Sequence, residues 1–243
     1  YGPRALQAQV AVVQGNVDQM VKWSPAFKTA TVDTYLRLSR EAIGEADVEL
    51  VVWPETALPF YPQRDQLTSR LAAFTGAANT WLLTGAPLFT LTPQTDGSEL
   101  VRHYNGAILL GPDGRIAASH AKQHLVPFGE YVPLRPYLPF LEPLVVSVGD
   151  FAAGTSDEPL ALGPMRLGML ICYESIFPEI ARQSVTRGAN LLVNLTNDAW
   201  YGRSSAPHQS MAMAVFRAVE NKRALVRAAN TGISGFVDPV GRI

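Results

Sequence analysis

Short apolar runs alternate with helix-spaced segments along most of this chain. "ALQAQVAVVQ" (residues 5–14) partly alternates and stops at Gly15-Asn16, which predicts a strand entering a loop. In "SPAFKTATVDTYLRLSREAIG", Ser24 suits a cap and Pro25 the first helical position. Phe27, Thr31, Tyr35, Leu38 and Ala42 then recur at three-to-four spacing until Gly44, so this segment predicts a helix. "VELVVWPET" (48–56) reads as a buried strand broken by Pro54, and "RDQLTSRLAAFTGAA" sets Leu67, Leu71, Phe74 and Ala78 on one helical face.

"WLLTGAPLF" predicts the next strand, and "NGAILLGPDGRIAASHAKQHL" predicts two strands around a turn at Asp113-Gly114. Then follow "RLGMLIC" as strand, "FPEIARQSVTRG" as helix, "ANLLVNLTN" as strand, "APHQSMAMAVFRAVENK" as helix and "ALVRAAN" as strand, before a closing hairpin "FVDPVGRI". Strands alternating with helices argue for a layered α/β domain. The two similar turns "PDGRI" and "PVGRI" read as hairpin chemistry and not as a repeat.

Composition narrows the class. The 243 residues are 47% hydrophobic, enough for a sizeable core in one large domain or two small ones. Twenty Lys plus Arg against 21 Asp plus Glu leave a formal charge of −1, so nucleic acid is not an expected partner. A single cysteine excludes an intrachain disulfide and leaves the redox compartment open. No apolar run reaches the ~18 residues a membrane span needs, and no secretory signal pattern opens the chain. The start at Tyr1 and the stop at Ile243 inside a hairpin raise the expectation of an excerpt from a longer protein.

Three reactive residues stand at equivalent points: Glu55 after "LVVWP", Lys122 after the second arm of the "GPDG" hairpin, and Cys172 after "LGMLI". Strand ends of α/β sheets converge on one crevice, so these residues can meet. Each also has a plain structural reading. A lone cysteine in an apolar strand is often a small hydrophobe, and a strand-end Glu or Lys is often solvated. "CYES" sits at a strand-to-helix junction, where backbone N–H groups can receive an oxyanion. A nucleophilic thiol needs a base. None of the four histidines, His103, His120, His124 and His208, stands in a thiol-protease pattern, which favours the carboxylate of "WPET".

The ordered motifs "WPET", "HAKQHLVPFGEY" and "LICYES" resemble the nitrilase or carbon–nitrogen hydrolase superfamily. That resemblance covers residues 1–243 as one catalytic domain and implies an α-β-β-α sandwich with a Glu-Lys-Cys triad. "QGNVDQMVKW", "WPETALP", "KQHLVPFGEYVPLR" and "ICYESIFPE" are similar, more narrowly, to the catalytic domain of the apolipoprotein N-acyltransferases. The likeness implies Glu55 as general base, Lys122 as oxyanion and orientation group, and Cys172 as acyl-carrying nucleophile. Trp23, Glu130, Tyr173 and Glu174 fall on further essential positions of that family, with Glu130 able to hold the Lys122 ammonium.

The resemblance also implies a phospholipid acyl donor, a diacylglyceryl lipoprotein acceptor, and attachment to the bacterial inner membrane through helices absent from these residues, with the catalytic domain on the periplasmic side. No cofactor is expected: metal-ligand spacing, a phosphate loop and a dinucleotide fingerprint are all missing from the sequence. Residues 125–148 and "LPFYP" (58–62) are apolar, proline-rich loops that suit a lipid substrate, although 125–148 equally fits a loop folded onto its own core. "NLTND" (194–198) and the following "AWYG" end a strand and can shape the pocket. Arg217, Glu220 and Arg223 space like an ion-paired helix face. A soluble amidase with the same triad is the second reading, a binding domain that kept the fold is the third, and the oligomeric state stays open.

Overall fold

The computed structural model describes residues 7–18, 25–44, 46–127, 129–131, 151–202 and 204–243. Ten strands and four α-helices follow in the order β1 (Val10–Val12), α1 (Pro25–Ile43), β2 (Leu50–Val52), α2 (Thr68–Ala78), β3 (Trp81–Pro93), β4 (Glu99–Leu110) and β5 (Ile116–Ala121). The second half runs β6 (Leu160–Leu162), β7 (Met165–Ile171), α3 (Pro178–Thr186), β8 (Leu191–Thr196), α4 (Ala206–Asn221), β9 (Ala224–Ala229) and β10 (Gly235–Val237). Two 3-10 turns, Cys172–Ile176 and Asp198–Tyr201, lie at the C-terminal ends of β7 and β8.

The strands form two five-stranded sheets, ordered β1-β2-β3-β4-β5 and β10-β9-β8-β7-β6. In each sheet three neighbouring strands are parallel, β1–β3 in one and β7–β9 in the other, and antiparallel strands complete it. Parallel strands buried on both faces need apolar side chains in both directions. Leu167, Met169 and Ile171 of β7 accordingly enter a core with Leu50, Val52, Leu83 and Leu109 of the first sheet, and Leu170 turns outward to Ile180, Ala181 and Met211 on α3 and α4. On the outer face of the first sheet, Val51 and Leu82 meet Val32, Tyr35, Leu36, Leu71 and Phe74 of α1 and α2. The layers are therefore α-β-β-α, as the family resemblance implied.

Local signals account for most boundaries. Gly44 ends α1 with φ +49°, and Asn79 takes the left-handed position after α2, its N–H donating to Thr75 O. The packed face of α1 is rotated from the one its spacing predicted: Thr31, Val32, Tyr35, Leu36 and Ser39 are buried, whereas Phe27 is 47% exposed. Ser39 is on the inner face because its hydroxyl accepts from Trp53 Nε1 at 2.8 Å and donates to Tyr35 O. The short strand β6 was not anticipated. It pairs with β7 across a tight turn at Gly163, φ +54°, and three residues are too few to show a period.

Candidate functional site

Glu55 is placed by a turn that leaves β2 at once. Trp53 is fully buried and stacks on Tyr35 at 5.0 Å, which anchors the chain before Pro54 ends the pairing. Thr56 then takes φ +47°, and the turn folds flat against β3, where Gly85 N donates to Pro54 O and Leu58 N to Gly85 O. Gly85 has to be bare. A Cβ there would lie 2.5 Å from Thr56 N and 2.6 Å from Glu55 Cα. The rest of "LPFYP" departs from expectation: Leu58 and Phe60 are buried in the outer core and form no exposed apolar loop.

Lys122 follows β5, fixed by backbone bonds from its own N–H to Asn105 O and from Gly154 N–H to its carbonyl. Its side chain is 1% exposed, and its Nζ meets both Glu130 oxygens, at 2.9 and 2.8 Å. Asn105 Nδ2 donates to Glu55 Oε1 at 2.8 Å and to Glu130 Oε1 at 2.7 Å, so one amide bridges two carboxylates. Burial alone works against the Lys122 ammonium. The negative field of Glu55 and Glu130 outweighs it and holds the ammonium above its ordinary range, charged at every physiological pH.

Cys172 starts the 3-10 turn at the end of β7 with φ +52°, a conformation an L side chain adopts only at a cost of about 1–3 kcal/mol. The residue is partly buried, and protein surrounds the sulfur closely enough that desolvation, reinforced by Glu55 and Glu130, pushes the thiol up to about 12 against the opposing pull of Lys122 and Thr196. The same turn is tied to the Lys122 loop by Glu174, which is fully buried. Its carboxylate accepts from Ile171 N at 2.7 Å, Gln123 N at 2.7 Å and His124 N at 3.0 Å. Desolvation nonetheless pushes this carboxyl above its ordinary value.

The structure thus brings Glu55, Lys122, Glu130 and Cys172 into one electrostatic cluster, with Glu174 bracing two of its loops. Tyr173 lies beside Cys172, edge-on to Phe177 at 5.0 Å. Trp23 and most of residues 125–148 lie outside the described residues. The cluster borders a cleft of about 210 Å³ lined by Cys172, Tyr173, Ile176, Thr196, Tyr201 and Met213, among others. Of its lining, Tyr201 and Met213 are 46 and 42% exposed.

Two residues here carried no sequence signal of their own: Asn105 is mid-strand in β4, and Arg227 of β9 forms a buried pair at 3.0 Å with Asp198. Asp198 itself belongs to the "NLTND" segment expected to shape the pocket, and it lines the cleft with Thr196 and Tyr201. Arg217 was expected on an ion-paired surface face. It is 4% exposed and reaches the 3-10 turn that Cys172 begins, donating to Ser175 O and Ile176 O as well as pairing with Glu220. Among the described residues no group of His, Cys, Asp and Glu is placed to hold a metal ion.

Residues 9–243 match the family described as Carbon-nitrogen hydrolase. The chain belongs to the carbon-nitrogen hydrolase family. Within that family it is similar to the apolipoprotein N-acyltransferase of Geobacter metallireducens, 48% identical over 236 residues, which cover 97% of this chain and 44% of the relative. The corresponding protein of Methylococcus capsulatus is 41% identical over 240 residues, 96% of this chain and 44% of the relative. This carbon-nitrogen hydrolase chain therefore spans less than half the length of the curated relatives it matches. Among solved structures it is similar to Saccharomyces cerevisiae Nit3, of branch 10 of the nitrilase superfamily, with TM-score 0.70, 22% identity and coverage of 97% of this chain and 84% of that one. An amidase from Nesterenkonia sp. AN1 gives TM-score 0.66 at 21% identity, over 97% of this chain and 87% of that one. At these identities the two structures speak for the fold alone, an α/β sandwich.

Proposed function

We propose that residues 1–243 are the catalytic domain of an apolipoprotein N-acyltransferase, moving an acyl chain from a phospholipid through a Cys172 thioester to the terminal amine of a diacylglyceryl-cysteine lipoprotein. The observation that carries this reading is that Cys172, in one electrostatic cluster with Glu55 and Lys122, lines a cleft whose wall includes the exposed Tyr201 and Met213. The relatives named apolipoprotein N-acyltransferase support the choice of acyl transfer.

The chemistry follows from the charges. A thiol held near 12 is neutral at physiological pH, so attack requires a base acting in the same step. Glu55 takes the proton as the sulfur attacks the ester carbonyl, and the permanently charged Lys122, with the Tyr173 N–H, stabilises the oxyanion. Collapse expels the lysophospholipid alkoxide, which recovers the proton from Glu55 and leaves an acyl thioester. The lipoprotein amine then attacks. Glu55 removes a proton from it, the amide forms, and the thiol is regenerated. Glu130 holds the Lys122 ammonium, and Glu174 fixes the loop spacing. A thioester survives until the amine arrives only where water is excluded, a task suited to apolar cleft walls.

In this reading the enzyme works at the bacterial inner membrane, with the catalytic domain on the periplasmic side. No helix among the described residues is long and apolar enough to cross a membrane. Attachment is then carried by parts of the protein beyond these residues, as the length of the relatives suggests. Intact mass spectrometry of the full-length protein with phosphatidylethanolamine tests the reading. One acyl chain gained, released by hydroxylamine and absent in Cys172→Ser, is the expected result. No adduct with lipid, but turnover of a small amide, would move the chain to the amidases.

A further inference from the structure

At the wall of the cleft lies a polar network that the proposed reaction does not use. Arg227 of β9 is fully buried. Its Nη2 donates to Asp198 Oδ2 at 3.0 Å and to Ser210 Oγ at 2.9 Å, its Nε donates to Ile233 O at 3.0 Å, and its Nη1 donates to Asn194 Oδ1. Asp198, 3% exposed, is thus pinned by Arg227, most closely on Oδ2, and its Oδ1 accepts from Arg227 Nη2 at 3.4 Å and from the Thr196 hydroxyl at 3.2 Å. Thr196 ends β8. The last register pair between β7 and β8 is Ile171 with Leu195, so Thr196 stands opposite Cys172 at the next position. Both residues line the cleft, so the register and the shared wall place the hydroxyl beside the sulfur.

A threonine hydroxyl has one proton to donate and two lone pairs. Here two acceptors compete for it, the Asp198 carboxylate and, once ionised, the Cys172 sulfur. We propose that Thr196 is a further catalytic residue with Asp198 and Arg227 as its positioning residues: the hydroxyl donates to Asp198 while Cys172 is a thiol and rotates to donate to the sulfur whenever that sulfur carries negative charge. The proposal rests on the reading of Cys172 as nucleophile. No O–H bond breaks, since the thiol proton goes to Glu55 and returns from it. The sulfur is anionic twice in the cycle, when it attacks the ester and when the amine expels it from the thioester, so one contact serves both halves.

Arg227 explains why the hydroxyl can turn. An isolated buried carboxylate would hold the hydroxyl proton firmly, whereas one already paired with a guanidinium gives up a hydrogen bond at lower cost. The other charged or titratable groups facing the sulfur are Glu55 from the turn after β2, Lys122 and Glu130 from the region after β5, and Tyr201, which shares the 3-10 turn of Asp198. Glu174 belongs to the turn that Cys172 begins. Of the two cations, Arg227 is matched by Asp198 and Lys122 is held by Glu130, which leaves the Thr196 hydroxyl as a neutral donor at the sulfur.

The test is alkylation of Cys172 by iodoacetamide in the full-length protein from about pH 6.5 to about 9, with the adduct mapped by peptide mass spectrometry; the rate tracks the thiolate available. Thr196→Val keeps the shape of the side chain and is expected to react about tenfold more slowly at every pH, the order expected for one hydrogen bond to a charged atom. Thr196→Ser is expected to stay within about twofold of the unsubstituted protein, because the donor is retained. A Thr196→Val rate equal to that of the unsubstituted protein, or a Thr196→Ser rate as low as that of valine, overturns the proposal. Should valine disturb the end of β8, Thr196→Ala against Thr196→Ser provides the same contrast. If Cys172 of the unsubstituted protein is not alkylated at all, the nucleophile reading itself fails and this proposal fails with it.

Discussion

Replacing Asn230 by alanine is expected to loosen the two sheets where they meet at the site. The fully buried side chain makes four hydrogen bonds: Oδ1 accepts from Val17 N and Tyr35 OH, both at 3.0 Å, and Nδ2 donates to Val17 O at 2.9 Å and Asn197 Oδ1 at 3.1 Å. One amide thus ties the loop after β1 and helix α1 to the second sheet. At about 1 kcal/mol per bond, the loss comes to about 4 kcal/mol, a large share of the ~5–15 kcal/mol that holds a typical domain. Urea unfolding followed by tryptophan fluorescence measures it, and a loss under about 1 kcal/mol would refute the reasoning. A double-mutant cycle sharpens the test. Tyr35→Phe alone should cost about 1 kcal/mol and almost nothing in the Asn230→Ala background, so strict additivity would also count against the network.

Other consequences are open to measurement. Burial holds His120, 5% exposed, down to about 4, so between about pH 6.5 and about 4 the unfolded ring binds a proton that the folded one refuses. Stability should therefore fall on acidification through that window, by up to about 3 kcal/mol, and His120→Leu should flatten the dependence in unfolding measured at both ends. Glu174→Ala orphans three backbone donors and frees the Cys172 turn from the Lys122 loop. A stability loss of about 3 kcal/mol or more and an acylation rate at least ~100-fold lower are expected, and unchanged acylation would show that the tie does not position the reacting groups.

Much of the scaffold was legible in the sequence because its signals are local. Pro25 and Gly44 bracket α1, Asp113-Gly114 turns β4 into β5, and the apolar runs of β2, β7, β8 and β9 are those of strands buried on both faces. Glu55, Lys122 and Cys172 stood out because each follows a strand within a recognisable motif. What escaped depends on partners far away in the chain. The inward face of α1 is set by Ser39 meeting Trp53, which no spacing rule contains. Asn105 matters only because the turn after β2 and the loop after β5 both close over β4. Arg217 and Arg227 look like surface charges in sequence and are buried because carbonyls of the first 3-10 turn, and Asp198 in the second, await them.

The bare backbone at Gly85 makes the position of the proposed base a matter of thickness. The turn carrying Glu55 rests on β3 with only main-chain atoms between them, and a Cβ on that strand would fall 2.6 Å from Pro54 O and from Glu55 Cα. The height of the carboxylate above the sheet is therefore fixed by the van der Waals radius of a polypeptide chain, a dimension that exchanging buried side chains does not alter. Side chains elsewhere in the sandwich can drift in size and shape without moving this stop. At residue 85 itself the smallest addition, a single methyl group, would lift the turn and carry Glu55 away from the thiol it is proposed to deprotonate.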